Sequence, residues 1–398
     1  MLNKPAILGG KKVRNKPLPA FLPSIAQEEI DEVIDTLKSG WISTGPKVQL
    51  FQKMVKEYVG CNYTVALNSC TAGLHLSLLA AGVGPGDEVI TTPFTFTATA
   101  NVIIHVGATP VFVDIQKDTF NIDPSLIEGV ITKKTKAIIP VHYGGHPCDM
   151  DEILKIAKKY KLVVIEDAAH AIGAKYRGRN VGTMGDFASF SFYATKNITT
   201  AEGGMVCAKD KEAAERIRMM GLHGMDRDAW KRYSKGGYWY YEVKYPGFKY
   251  NMTDIQASLG IHQIKKLDDF ISRREKITQF YNKSFKHLPE IVAQATRKYV
   301  KHARHLCTIL LDINRLKINR DDFFKALDAE NIGTSVHFIP IHLHPYYREK
   351  FGFKRGDFPN AEYVFDRTIS LPIHPAMAKK DMEDVVKAVI KIILYYRK

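Results

Sequence analysis

The chain has 398 residues, 45% hydrophobic and 25% charged, which is ample for a core and two domains and excludes a disordered protein. Its 57 Lys+Arg against 42 Asp+Glu give a formal net charge of +15. That excess is spread along the chain rather than gathered in one arm, which suits an anionic small ligand better than a nucleic-acid or membrane tail. No apolar run reaches the length of a membrane span.

Residues 1–24 read as an irregular arm rich in Pro and Lys, without the pattern of a signal peptide, so a cytoplasmic protein is expected. Ser24-Ile25-Ala26-Gln27 has the form of a capping box and predicts a helix to about Ser39. Gly40 to Pro46 is a turn, and a second helix covers Lys47 to Tyr58. Short strands are then expected at Tyr63–Leu67, Glu88–Thr92, Pro110–Val113, Ala137–Val141, Leu162–Glu166, Phe187–Phe192 and Met205–Ala208. Helices follow the first of these, to about Ala81, and fill Asp149–Lys159. Strands alternating with helices predict a largely parallel sheet between helical layers.

Residues 221–250 break this rhythm with a long basic, aromatic and Gly-rich segment, a length that points to function. Thr253 with Gln256 makes a further capping box, opening a proline-free helix from Asp254 to about Phe285. Beyond it, strands are expected near Cys307–Leu311 and Thr334–Phe338, and helices at Asp321–Glu330 and Asp381–Tyr396.

The five cysteines (Cys61, Cys70, Cys148, Cys207, Cys307) are scattered and lack a CxxC pair. They fit neither a disulfide framework nor a zinc site. His142 with His146, and His342 with His344, are too sparse for metal ligation and read as loop residues, so no metal is expected.

Two stretches carry chemistry. Ser189 to Gly204 reads as a short apolar strand that breaks into a polar turn holding Lys196. A buried lysine must be neutralised, paired or used covalently, and a desolvated amine is the setting of Schiff-base lysines. Leu162 to His170 opens as an apolar run typical of a parallel strand covered on both faces, and ends in Glu166-Asp167. Open α/β sheets hold their ligands outside the carboxyl ends of such strands. A lysine for an aldehyde and an acid for a ring nitrogen are what pyridoxal 5′-phosphate (PLP) requires.

Asn68-Ser69-Cys70-Thr71-Ala72-Gly73, Glu166-Asp167-Ala168-Ala169-His170, Ser191 with Lys196-Asn197, Glu202-Gly203-Gly204 and Tyr250-Asn251-Met252-Thr253-Asp254 occur in that order. Together they resemble the DegT/DnrJ/StrS family of PLP-dependent nucleotide-sugar aminotransferases, from about Gly40 to the C-terminus. The resemblance is nearest to members acting on UDP-4-keto sugars, as in the lipid A aminoarabinose branch, through Ser39 to Pro46, Lys249-Tyr250-Asn251 and Gly333 to Phe338. It implies an α/β protein of PLP-dependent transferase fold type I, like aspartate aminotransferase. Residues 25–265 would form the large, mostly parallel sheet domain that binds PLP, and residues 266–398 a smaller C-terminal α+β domain.

By the same resemblance, Lys196 would carry the cofactor as a Schiff base and afterwards move a proton. Asp167 would keep the pyridine nitrogen protonated, although after a strand it also suits a helix N-cap. Thr71 and Ala72 would offer N–H groups to the phosphate at a helix start, joined by the Ser191 hydroxyl. Asn251 would reach that phosphate from the neighbouring subunit, which implies a homodimer with shared active sites. His170 and Phe96 would sandwich the ring, with Phe96 equally placed to be a core aromatic.

Substrate contacts are expected from His223, Lys249, Tyr250 and the aromatics Tyr238 to Tyr241 for a nucleotide diphosphate. His337, His342, Tyr346 and Tyr347 are candidates for the sugar pocket. The expected reaction moves the amine of L-glutamate onto a keto carbon, C4, of a UDP-linked sugar for cell-surface glycans such as lipopolysaccharide. A 3-keto sugar or a cyclitol is the alternative acceptor. Relatives that act as dehydratases carry histidine in place of the lysine, and Lys196 disfavours that chemistry. A non-enzymatic nucleic-acid-binding regulator, using residues 221–250, is the reading from another class; it has no need of the cofactor residues.

Overall fold

The computed structural model describes residues 4–226 and 240–398. Its central feature is a seven-stranded sheet of β1 (Tyr63–Leu67), β2 (Glu88–Thr91), β3 (Thr109–Phe112), β4 (Thr135–Ile138), β5 (Val163–Asp167), β8 (Phe187–Ser191) and β9 (Gly204–Ala208). The spatial order is β1-β9-β8-β5-β4-β2-β3. From β8 to β3 all neighbours are parallel, while β9 lies antiparallel between β1 and β8. Six of the seven fall within one residue of the expected positions at each end, while β4 starts two residues early and ends three before the expected Val141.

Alternation along the strands builds two buried layers. Ala66, Ile138, Val164, Ala188, Met205 and Cys207 join α2 (Pro46–Val59) and α5 (Met150–Tyr160) in one cluster. Val65, Ala137, Ile165, Phe187, Val206 and Ala208 join α3 (Cys70–Ala80) and α6 (Lys211–Met220) in the other. The near-continuous apolar runs of the sequence therefore come from strands covered on both faces.

Among the described residues, four α-helices were not expected from sequence: Thr97–His105, Lys211–Met220, Pro345–Phe351 and Pro359–Phe365. α4 (Thr97–His105) follows β2 and is rich in Thr, Val and Ile, β-branched residues that weaken helical propensity. Burial of Thr99, Ala100, Val102 and Ile103 overrides that preference. A second difference lies at the start of α1 (Gln27–Ser39). Its N-cap is Ala26, and the Glu29 carboxylate accepts from the Ala26 N–H at 2.8 Å, so Ser24 and Gln27 do not form the box. Glu29 also accepts from Gln263 and Lys266, at 2.8 and 2.7 Å, which ties α1 to the long helix α7 (Asp254–Phe285).

α7 starts with the expected box: Gln256 donates to Thr253 Oγ1 at 3.3 Å and Thr253 N–H to Gln256 Oε1 at 2.9 Å. Asp254 also caps α2, accepting from the N–H groups of Gly45, Lys47 and Val48 at 2.8, 3.1 and 2.9 Å. The first half of α7 (Ala257, Ile261, Ile264, Leu267) sits in the large-sheet core. Its second half (Ile277, Tyr281, Phe285) enters a separate C-terminal cluster.

That cluster is built on an antiparallel sheet in the order β10 (Ile291–Ala293), β12 (Cys307–Leu311) and β13 (Thr368–Leu371). A two-residue ribbon of β6 (Lys175–Tyr176), β7 (Arg179–Asn180) and β11 (Val300–Lys301) stands apart. α8 (Arg320–Ala329), α9 (Pro345–Phe351), α10 (Pro359–Phe365) and α11 (Lys379–Tyr396) complete the C-terminal part. The expected strand at Thr334–Phe338 is absent; Ser335 makes an isolated bridge to Ser370 of β13. The arm is fastened here too. The Glu330 carboxylate, fully buried, accepts from the N–H groups of Ala6 and Val13, both at 2.8 Å, and pairs with Lys391 at 2.6 Å. No helix among the described residues is long and apolar enough to cross a membrane.

Candidate active site

The carboxyl ends of the parallel strands open into one cavity of about 360 Å³. Because β9 is antiparallel, its amino end, at Gly203-Gly204, lies at the same edge. Gly204 is required there: a Cβ would come within 2.3 Å of the Ser69 carbonyl carbon, so only glycine lets β9 lie this close to the start of α3. Gly73 likewise lets α3 approach β8, where a Cβ would stand 2.2 Å from Ser189 Oγ.

Glu166 and Asp167, adjacent in β5, face opposite ways. Glu166 is fully buried and accepts from the N–H groups of Gly182, Met184 and Gly185 at 3.2, 3.1 and 2.7 Å, and from His142 Nε2 at 3.0 Å. His142 Nδ1 in turn accepts from the Cys148 N–H at 3.0 Å, which assigns the imidazole proton to Nε2. Glu166 is thus structurally committed. Asp167 lines the cavity and, among the described residues, accepts only from Thr99 Oγ1 at 2.7 Å and the Ala169 N–H at 3.2 Å. Burial pushes its carboxyl above the usual range. A carboxylate offers about four acceptor positions, so it retains capacity for a ring N–H.

Lys196 lines the same cavity from the turn after β8. The turn is closed by Lys196 N–H to Tyr193 O at 2.9 Å and held from below by Asn197 Nδ2 to the Ala303 carbonyl at 2.7 Å. The side chain keeps some exposed surface, yet protein atoms crowd around it. Desolvation pulls its pKa down to about 8, against the opposing pull of Cys70 and Asp167. No other lysine or arginine lines the cavity among the described residues.

Thr71, Phe96, His170, Ser191 and His337 line it as well. Ala72 does not: its N–H is donated to Ser69 Oγ, the α3 cap, at 3.1 Å. The first-turn N–H groups of a helix lack intrahelical acceptors, and here they belong to cavity-lining Cys70 and Thr71. His170 Nδ1 accepts from the Gly144 N–H at 3.2 Å, leaving Nε2 to carry the proton. Phe96 is 59% exposed, at the surface rather than in the core. The Phe338 ring lies near both candidates, its centroid 6.0 Å from that of Phe96 and 5.9 Å from that of His170.

Residues the sequence reading did not single out complete the lining, among them Thr99, Phe338 and His305. The His305 ring lies 4.3 Å from that of His170, and its Nδ1 is buried with no partner. Burial holds the His170 and His305 imidazoles well below their ordinary pKa, and that of His337 at about 4. The cavity therefore holds one titrating amine among neutral rings. The Thr95/Thr99 spacing, one helical turn past a strand end, is the sequence signal for Thr99.

Other candidates lie elsewhere. His342 is buried on Glu362 at 2.9 Å, and Tyr347 on Asn101 at 2.6 Å, so both are structural. Tyr346 is exposed beside Lys350, and His223 is exposed. Tyr250 stacks on Phe248, centroids 5.0 Å apart. Asn251 bridges to Leu67 at the end of β1, donates to Thr44 Oγ1 at 2.7 Å and accepts from Lys249 at 2.6 Å, outside its own chain's cavity. Tyr238 and Trp239 lie outside the described residues; Tyr240 and Tyr241 are exposed.

A desolvated lysine sharing a cavity with a buried carboxylate, a helix start and a hydroxyl, on this sheet, defines a PLP enzyme of fold type I. Known proteins narrow the class: the chain matches the DegT/DnrJ/EryC1/StrS aminotransferase family over residues 23–390 and belongs to it. It is 60% identical over 381 residues to the uncharacterised protein MJ1066 of Methanocaldococcus jannaschii, covering 96% of this chain and 99% of that one. It is 52% identical over 381 residues to the spore coat polysaccharide biosynthesis protein SpsC of Bacillus subtilis, covering 96% and 98%. Among solved structures, the sugar aminotransferase candidate Spr1654 of Streptococcus pneumoniae, in its pyridoxamine-phosphate form, superposes with a TM-score of 0.89 at 36% identity, covering 95% and 99%. Its PLP form superposes at 0.88. The protein is a PLP-dependent sugar aminotransferase.

Proposed function

We propose that the enzyme moves the amino group of L-glutamate onto the C4 keto carbon of a UDP-linked sugar, in the making of cell-surface glycans. The observation that carries the amine transfer is the placing of a desolvated Lys196, its pKa pulled down to about 8, with buried Asp167 in one cavity. The resemblance of residues 39–46, 249–251 and 333–338 to enzymes of UDP-4-keto sugars supports the substrate. So does similarity to SpsC, named for polysaccharide biosynthesis, and to Helicobacter pylori PseC, an aminotransferase in pseudoaminic acid biosynthesis, at 30% identity and a TM-score of 0.89, covering 96% of this chain and 100% of that one.

Bound PLP supplies the aldehyde that receives the amine and a ring that withdraws electrons. Asp167 holds a proton on the ring nitrogen, with Thr99 fixing the carboxylate. The α3 start at Thr71 and the Ser191 hydroxyl receive the phosphate. Lys196 Nζ removes the proton from the α-carbon of the amino donor and returns one at the sugar carbon. His170 and Phe96, with Phe338, confine the ring.

A homodimer belongs to the same proposal. α1 turns Ile30, Ile34 and Leu37 outward at 45, 41 and 53% exposure, while its buried Glu29 faces α7. Apolar residues in a row on the solvent side mark an interface. Asn251, outside its own cavity, is then available to the partner's. A cytoplasmic location is also proposed, and cell fractionation tests it.

The test is the visible spectrum of the PLP-loaded protein. We expect the absorbance to bleach with L-glutamate and to return with a UDP-4-keto sugar, more weakly with a 3-keto sugar or a cyclitol. Bleaching by another amino acid alone overturns the donor, and return only with a 3-keto sugar overturns the acceptor.

A further inference from the structure

All five cysteines are buried, and three have no thiol neighbour. Of these, Cys70 and Cys148 direct Sγ at the carbonyls of Ser189 and Val141, at 3.3 and 3.1 Å. Cys61 and Cys207 differ. Although 146 residues apart in the chain, their sulfur atoms stand 2.9 Å from one another. A disulfide bond is about 2.05 Å long, so closure takes a movement of under about 1 Å. We propose that Cys61 and Cys207 are a built site for an intrachain disulfide, formed by exchange with a low-molecular-weight disulfide such as oxidised glutathione.

The topology gives the bond a task. β1 is the outermost strand of the large sheet, and β9 is its sole sheet neighbour, paired from Tyr63↔Ala208 to Leu67↔Gly204. Cys61 lies just before β1 and Cys207 within β9. The cross-link fastens the edge strand at the end remote from Ser69 and the cavity. It also closes a long loop in the unfolded chain, the condition under which a disulfide stabilises most.

The two thiols are unequal in a way that orders the chemistry. Cys61 keeps 8% of its surface exposed, against 1% for Cys207. The Cys207 thiol next to it, with help from Lys56, draws the Cys61 pKa below the ordinary thiol value, while burial pushes that of Cys207 well up. Cys61 is the attacking thiolate. Its sulfur bonds to one sulfur of the small disulfide, whose S–S bond breaks and releases one small thiol. The Cys207 sulfur then displaces the second, losing its own proton. The protein gives up two electrons and two protons, and one small disulfide becomes two thiols.

The test equilibrates the full-length protein in glutathione buffers from reducing to oxidising, then alkylates free thiols under denaturation and counts them by mass. Five alkylated cysteines are expected at the reducing end and three at the oxidising end, with a peptide linking residue 61 to 207. The melting temperature should be higher for the oxidised form, and that difference should vanish in Cys61→Ser and in Cys207→Ser but persist in Cys307→Ser. If buried Cys207→Ser misfolds, Cys61→Ser and the linked peptide still decide. Five free thiols in excess oxidised glutathione, or a link joining any other pair, overturns the proposal.

Discussion

Thr99 Oγ1 donates to Asp167 Oδ2 over 2.7 Å, joining the first turn of α4 to the end of β5 across a fully enclosed contact. Thr95 Oγ1, 2.8 Å from Thr99 Oγ1, extends the chain of hydroxyls. The acid proposed for the cofactor nitrogen is therefore oriented by a helix that its own strand does not reach. Hydrogen bonds to charged groups contribute ~1.5–3 kcal/mol, one to two powers of ten in an equilibrium. Thr99→Val should weaken PLP retention by about that factor, measured by dialysis and cofactor absorbance. Thr99→Ser should restore most of it. Unchanged retention in Thr99→Val would show that the bond does not orient Asp167.

Lys196 supplies a pH test. Its pKa in the folded apo-protein is drawn down to about 8 from 10.5, so the folded state binds fewer protons than the unfolded chain between those values. Stability from this group therefore rises with pH through that window, and below it the full cost of a desolvated ammonium is present. Lys196→Met should stabilise the apo-protein at pH 7, and the gain should shrink toward pH 10 in urea unfolding curves. A gain independent of pH would contradict the depressed pKa. The same variant should form no covalent PLP complex.

Glu330 holds the arm. Removing a partner from a buried ion pair costs ~3–5 kcal/mol, because the other charge is left buried. Glu330→Ala leaves Lys391 with only the Lys11 carbonyl among its described partners, 2.7 Å away, and strands the N–H groups of Ala6 and Val13. We expect lower stability by about that amount. Faster tryptic cleavage at Lys11 and Lys12 should accompany it, and cleavage at the wild-type rate would argue that the arm is held instead by the Arg14 pairs with Asp381 and Asp384 and the Leu18 backbone bonds to Asn331 and Gly333.

The outward face of α1 bears on the proposed dimer. Ile34→Lys places a charge in the middle of the Ile30–Leu37 row and should convert a dimer into monomers in sedimentation analysis. If Asn251 serves the partner's phosphate site, PLP retention should fall in the same variant. A variant that stays dimeric moves the interface elsewhere.

Much of this was legible locally. The strands at Tyr63 and Cys307 and the helix Asp254–Phe285 begin and end as expected, because apolar runs and the Thr253/Gln256 box act within a few residues. α4 was not, since its β-branched residues argue for strand while burial decides for helix. The strand expected at Thr334–Phe338 lost its place to Thr368–Leu371, four residues too short for periodicity to tell. The cap of α1 moved by two residues because Glu29, held by Gln263 and Lys266, reaches back to Ala26.

Lysine chemistry, the acid at a strand end and the alternating layers were all present in the amino-acid order, because each depends on near neighbours. Which of two adjacent carboxylates faces the cavity was decided by the loop at Gly182–Gly185 folding over Glu166. The antiparallel insertion of β9 brought Gly204 against the start of α3 and Cys207 to Cys61. His305 and Phe338 entered the cavity from the C-terminal part of the chain, more than a hundred residues beyond Lys196. Such contacts follow from strand order and from what packs on each face, and no local pattern carries that information.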